Sequence, residues 1–156
     1  MTEVVMSAPL RLLHALAPEH RARLLSVARE VAFAEDTRIF EAGGAADRFW
    51  VVRSGTVSLF QHVLAGRRIS VATLGPGDLL GWSWLFPPHT WDFGAEAFSP
   101  VRAYEFDAST VAGLGERDPS LELALTRTVG AVLAHRLETT RTALIEHYAR
   151  HGGGPR

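Results

Sequence analysis

Cysteine is absent from all 156 residues. That absence removes disulfides, thiolate nucleophiles and cysteine-ligated zinc or iron–sulfur sites together, and it fits a reducing compartment. Lysine is absent too, so all sixteen basic residues are arginine; this is a compositional bias of the source and carries no chemistry of its own. No basic cluster stands out and the formal net charge is −1, so nothing provides the electrostatic footprint of a nucleic-acid binder. No apolar run approaches the roughly 20 residues that span a bilayer. The start, MTEVVMSAPLRLL, lacks a basic flank followed by an apolar core, so it does not read as a signal peptide. No DNA, no membrane and a cytoplasmic location are the expectations. Catalytic signatures are missing as well: there is no Walker loop and no Ser–His–Asp cue, and Glu96 and Glu105 form no recognisable acid–base pair. The seven histidines, His14, His20, His62, His89, His135, His147 and His151, form neither His-x-His nor His-Glu-x-x-His. A non-enzymatic protein without metal or cofactor is expected.

What is present suits one domain over residues 1–150 with a disordered tail at 151–156, since the length supports a substantial core. Residues 9–30 read as two short helices, with Leu10, Leu13 and Leu16 on one face and Pro18 restarting the chain. Residues 31–107 change texture to short alternating or apolar runs, punctuated by Gly43-Gly44, Ser54-Gly55, Gly66, Gly75-Pro76-Gly77 and Pro100. Strands at this spacing indicate a mainly β fold, an antiparallel jelly roll or β-roll barrel with flanking helices. Residues 108–148 return to helix, with Asp118 as a cap before Pro119. Leu125, Val129, Val132 and Arg136 step along one seam of the long helix. Leu133, Leu137, Thr140 and Leu144 step along another. Such a helix can cover its own barrel on one seam and meet a partner helix on the other, so these seams are the expected homodimer contact.

One stretch is unusual. Residues 81–93, GWSWLFPPHTWDF, hold three of the four tryptophans. Trp82, Trp84, Phe86, Trp91 and Phe93 either plug a core or line an apolar pocket, with Ser83, His89 and the indole N–H groups orienting a ligand. Packing carries more weight, because aromatic clusters are usually core.

The glycine pattern sharpens the reading. IFEAGGAADRFWVVRSGTVSLF followed by RRISVATLGPGDLLGW resembles the cyclic nucleotide-binding domain family, the sensor domain of catabolite-activator-type regulators and cyclic-nucleotide-dependent kinases. Gly43, Ala46-Asp47, Ser54-Gly55 and Gly75-Pro76-Gly77-Asp78 leading to Gly81 carry the resemblance, which extends over residues 9–148; Gly44 stands where the family commonly has Asp. It implies a pocket around Leu80, Gly81, Trp82, Ser83, Trp84, Trp91, Asp92 and Phe93. Thr140 lies on the long helix at a position resembling the family's nucleobase contact. The resemblance also implies a phosphate-binding segment reading Gly-Glu and, after a spacer, Arg-Ser-Ala or Arg-Thr-Ala. Here Trp82 follows Gly81 in place of Glu, and the Arg position falls on Trp91, within one residue. No arginine lies between Arg68 and Arg102, and the charged residues between them, Asp78, Asp92 and Glu96, are acidic. Removing the cation of a buried ion pair costs about 2–5 kcal/mol, roughly 30- to several-thousand-fold in affinity. Arg67, Arg68 or Arg102 would have to enter by another route.

The expectation is a stand-alone regulatory or accessory module with a diverged aromatic pocket and no cAMP or cGMP binding in the usual way. The chain stops at Arg156, shortly after Tyr148, without the helix-turn-helix of the activator-type regulators. A separately encoded protein partner, such as a redox enzyme, is a family analogy. A genuine cyclic-nucleotide sensor and a cupin-like metal or haem protein with an axial His89 are the alternatives. The ligand is unknown.

Overall fold

The computed structural model describes residues 11–152. Residues 9–10 of the expected first helix and 153–156 of the expected tail lie outside that range, whereas His151 and Gly152 continue the helical chain as a π-helical turn. Two short helices, α1 (Leu12–Ala15) and α2 (Pro18–Leu25), lead into β1 (Arg29–Phe33). Arg29 and Glu30 therefore belong to a strand and not to the helical segment expected to reach residue 30. Val31-Ala32-Phe33 sets the extended run, and both polar residues continue it outward against β8. The strands β2 (Arg38–Phe40), β3 (Arg48–Ser54), β4 (Val57–His62), β5 (Arg68–Leu74), β6 (Leu79–Leu80), β7 (Gly94–Ala97) and β8 (Val101–Asp107) follow, then α3 (Ala108–Arg117) and α4 (Pro119–His147).

The strands form two antiparallel four-stranded sheets, ordered β1-β8-β3-β6 and β2-β7-β4-β5. The mainly β roll with flanking helices is the architecture its strand and turn spacing indicates. Two cores result. Between the sheets lie Trp50, Val52, Leu59, Leu80, Trp91, Ala95, Ala97, Val101 and Ala103. On the other side of the first sheet, under the helices, lie Leu12, Leu24, Phe49, Val51, Leu79, Phe106, Val111, Leu125, Val129 and Val132. Strand β3 feeds both cores, which is why Phe49-Trp50-Val51-Val52 is continuously apolar instead of alternating.

The helix starts follow local chemistry. Asp107 accepts from the Thr110 backbone N–H at 3.0 Å and caps α3; Asp118 accepts from Leu121 N–H at 3.2 Å and caps α4, with Pro119 in its first turn. Gly94 is required for a packing reason: a Cβ there would sit 2.4 Å from the Phe60 ring, which lies flat across the strand. The guanidinium carbons of Arg38 and Arg68 stand 4.7 and 4.4 Å from the centre of that same ring, closing the outer face of the second sheet.

Candidate functional site

The aromatic segment leaves β6 at Leu80, makes one 3₁₀ turn over Ser83–Leu85 and returns to β7. The 43–46 loop straps its far end. Gly43 N–H donates to the Trp91 carbonyl at 2.8 Å, Trp91 N–H donates to Gly44 at 2.9 Å, and Ala46 N–H donates to His89 at 2.8 Å. The His89 ring also meets the Trp84 carbonyl at 3.1 Å, so this exposed histidine holds the loop. Gly43, which carries the family resemblance, and Gly44, which departs from it, are thus the backbone partners that hold Trp91.

Trp91 points into the roll and is 6% exposed. Its ring stacks on Phe40 at 4.0 Å between centroids, and Phe40 stacks on Trp50 at 5.6 Å. Trp50 and Trp91 stand 6.0 Å apart, and Phe33 closes edge-on to Trp50 at 6.5 Å. Gly81 lies directly against the indole: its φ is +91°, and a Cβ would stand 2.9 Å from Trp91 Cζ3. Only glycine suits both demands. The backbone turn at Gly81 is therefore covered by an indole ring.

The other expected residues divide between the two cores and solvent. Leu80 is fully buried beside Trp50. Ser83 is buried, Phe93 half-buried, and Asp92 exposed, pointing away from the interior that Trp91 occupies. Trp82 meets Phe86 edge-on at 6.0 Å and packs, like Trp84, on the helix side of the first sheet. Trp84 stacks on Phe49 at 4.6 Å, and Phe49 stacks on Phe106 at 4.7 Å. The structure thus separates the three tryptophans that the sequence pattern suggested as one pocket. Trp91 goes inside the roll, Trp82 packs on the helix side, and half-buried Trp84 packs against both cores.

The arginines that flank the segment in sequence are not buried in the roll. Arg68 bonds Glu96 at 2.5 Å on the outer face, and Arg67 and Arg102 are exposed. The charged residues at the open end of the roll are ones the sequence pattern did not single out. Glu105 is 9% exposed and accepts from Arg29 at 2.7 Å and from Trp50 Nε1 at 2.9 Å, with Arg48 3.5 Å away. Burial pushes its carboxyl up, but the hydrogen bonds from Arg29 and Trp50 and the charge of Arg48 outweigh that and hold it below its ordinary value of 4.5. Strand parity was the available signal. Arg48, Trp50 and Val52 share a face, and Glu105 is the register partner of both Trp50 and Arg29. Phe40 and Trp50, which complete the stack around Trp91, carry no motif. Among the described residues no cluster of three or more His, Asp or Glu side chains is placed to hold a metal ion.

The long helix separates its two seams. Leu125, Val129 and Val132 are buried in the chain's own core, Leu133 packs beside them, and Arg136 donates to the Leu79 carbonyl at 2.5 Å. Burial pushes the Arg136 guanidinium down, partly offset by Asp78. These five are therefore engaged within the chain and are not free for the dimer contact in which they were expected. Every residue from Leu137 to His151 is exposed, including Leu137, Leu144, Ile145 and Tyr148. Thr140 lies in that projecting half and is not brought to the aromatic segment within one chain.

Comparison with known proteins agrees with this architecture. The chain is 27% identical over 129 residues to the CRP-like cAMP-activated global transcriptional regulator of Mycobacterium tuberculosis, covering 83% of this chain and 56% of that protein. It spans about half the length of that relative. Among solved structures, the N-terminal domain of a transcriptional regulator from Streptomyces coelicolor A3(2) superposes with a TM-score of 0.68 at 30% identity, covering 85% of this chain and 90% of that one. The catabolite activator protein of Thermus thermophilus superposes with a TM-score of 0.72 at 28% identity, over 85% of this chain and 61% of that one. The sequence profile of the cyclic nucleotide-binding domain matches residues 30–118, more than half of the chain. The chain belongs to the cyclic nucleotide-binding domain family.

Proposed function

We propose that this domain is a non-enzymatic, cytoplasmic regulatory module whose nucleotide position is filled by its own Trp91, so that cAMP and cGMP are not effectors in the family's usual way. One observation carries the reading: the Trp91 ring is stacked on Phe40 inside the roll and pressed against Gly81. A cyclic nucleotide bound there would have to expel a large buried aromatic, which buries roughly 150–250 Å². It would then find Trp82 where the resemblance places a carboxylate for its ribose, and no arginine between Arg68 and Arg102 for its phosphate.

The same reading makes the exposed half of α4 the contact between two copies. Leu137, Leu144, Ile145 and Tyr148 are 52–70% exposed and follow helical spacing, a stripe that a parallel partner helix would cover. A change in the roll would reach that contact through Arg136, which joins α4 to β6. A separately encoded protein partner would read the resulting surface.

Isothermal titration with cAMP and cGMP tests the closed site. The unmodified chain is expected to show no micromolar binding, and the Trp91→Arg, Trp82→Glu double variant to gain affinity for cAMP. Micromolar binding by the unmodified chain would overturn the proposal. It would favour the second reading, a working sensor like the relative named as cAMP-activated.

A further inference from the structure

We propose that His147 and His151, at the far end of α4, bind a divalent transition-metal ion of the zinc class together with the same two residues of a second copy of the chain. One ion would then clasp the two projecting helices through four imidazoles. The proposal rests on the reading that two copies meet through the exposed half of α4, and it is independent of Trp91 closing the roll.

Half of the site is assembled within one chain. His147-Tyr-Ala-Arg-His151 places two histidines four residues apart, on one face of a helix. The chain passes there from α4 into the π-helical turn Tyr148–Gly152, and the two rings face each other with centroids 4.5 Å apart and 33° between their planes. His151 Nδ1 lies 3.1 Å from the His147 carbonyl oxygen. A carbonyl only accepts, so Nδ1 is the nitrogen that carries the proton, and the neutral ring presents its lone pair at Nε2. Metal-ligating imidazoles are held in this way: one ring N–H is given to a backbone carbonyl, and the other nitrogen is left for the ion.

The second observation is where the pair falls on the helix. Leu133, Leu137, Thr140 and Leu144 step by four, three and four, and the next steps of three and four land on His147 and His151. The histidines are thus the last two positions of the seam that a parallel partner helix would cover. Both are exposed in the single chain, as are Leu137 and Leu144 before them. In a two-fold pair each residue on the axis meets its own counterpart, so the four rings converge at the end of the contact.

Ligand count and ligand type point the same way. Among the described residues no third His, Asp or Glu joins the pair, whereas structural zinc takes four ligands, with nitrogens at about 2.0–2.1 Å. The second copy supplies the missing two. An all-imidazole set suits zinc, nickel and copper, while magnesium and calcium require oxygen. Without an ion, two histidines are a poor continuation of an apolar seam, because their polar nitrogens would lose water at the axis. With one, they close it. An ion that binds only the paired chains favours pairing by mass action, so the contact between the helices becomes responsive to metal.

Titration of the untagged full chain with zinc chloride, beside sedimentation in EDTA and in zinc, tests this. Saturable uptake of one zinc per two chains is expected, with none of magnesium. His147→Gln and His151→Gln keep a good helix former at exposed positions, so the fold should stand. Each removes two of the four ligands and is expected to weaken zinc binding by more than the roughly 10–100-fold that losing an outer-shell partner costs. His62→Gln, at an exposed position on β4, is expected to leave it unchanged. No saturable uptake, one zinc per chain, or uptake that survives the His147→Gln, His151→Gln double variant would each overturn the proposal. Sedimentation separates its failure from that of the helix contact. A mass of two chains in EDTA with no zinc uptake sinks the metal site and leaves the contact standing. A mass of one chain both in EDTA and in zinc sinks the contact, and the shared site with it. One chain in EDTA and two in zinc would uphold the site and make the ion the clasp.

Discussion

Two aromatic stacks that each take one tryptophan from the same thirteen-residue segment have different surroundings. Inside the roll, Phe40, Trp91 and Trp50 are packed ring to ring, and the Trp50 N–H is satisfied by Glu105. Across the first sheet, Trp84, Phe49 and Phe106 make an equally regular stack, yet Trp84 borders a cavity and its N–H has no partner. The inner stack has its buried carboxylate surrounded by donors. The outer stack ends beside a cavity, and its buried N–H meets no acceptor. Aromatic residues at similar spacing therefore say little about whether they fill a site or form one. What decides is whether another layer of the fold closes over them.

The comparison breaks most sharply at the two tryptophans. Trp91→Ala removes a side chain packed on every side, and a loss of about 3–5 kcal/mol in urea unfolding is expected. Trp84→Ala opens onto space that already exists, so about half that loss is expected. Equal losses would mean the two stacks are equally structural.

Acid sharpens it next. Because the folded-state pKa of Glu105 lies below its ordinary value of 4.5, its contribution is fully present above that value and is lost as pH falls through the folded pKa. Thermal melts across that window should show a declining limb that Glu105→Gln flattens. An unchanged limb would assign acid sensitivity to other carboxylates.

The smallest effect on folding is expected at the projecting helix. Leu137→Glu with Leu144→Glu lies outside both cores, so stability of the single chain should change by about 0.5 kcal/mol or less. The sedimentation mass should nevertheless fall from two chains to one. A mass near 17.0 kDa for the unmodified chain would remove the dimer contact altogether.

Much of the fold was legible because it rests on local chemistry. Asp118-Pro119 starts α4, and the glycines mark the turns. Leu125, Val129 and Val132 show an apolar seam by spacing alone. Legibility stops where a residue's role depends on what lies across a sheet. Trp82, Trp84 and Trp91 look like one cluster along the chain, but Gly81 at φ +91° and the 3₁₀ turn send Trp82 to the helix side of the first sheet and Trp91 into the roll, with Trp84 packing against both cores. Glu105 looked like an isolated carboxylate until the β1-β8-β3 register set Arg29 and Trp50 beside it. Arg29 and Glu30 looked like the end of a helix, since charged residues fit a helix surface as well as a strand edge.

By itself, the sequence determined a cysteine-free, mainly β roll with helices at both ends, its turns, its helix caps and the absence of any arginine between Arg68 and Arg102. Those are matters of backbone preference and residue identity, which neighbouring residues settle. Only the tertiary structure decided that Trp91 occupies the roll while Trp84 borders a groove. It alone decided that the first seam of α4 belongs to the chain's own core, and that Glu105 is held by Arg29 and Trp50. Each of those depends on which residues distant in the chain meet across a sheet or between layers, and that pairing is set by the packing of the whole.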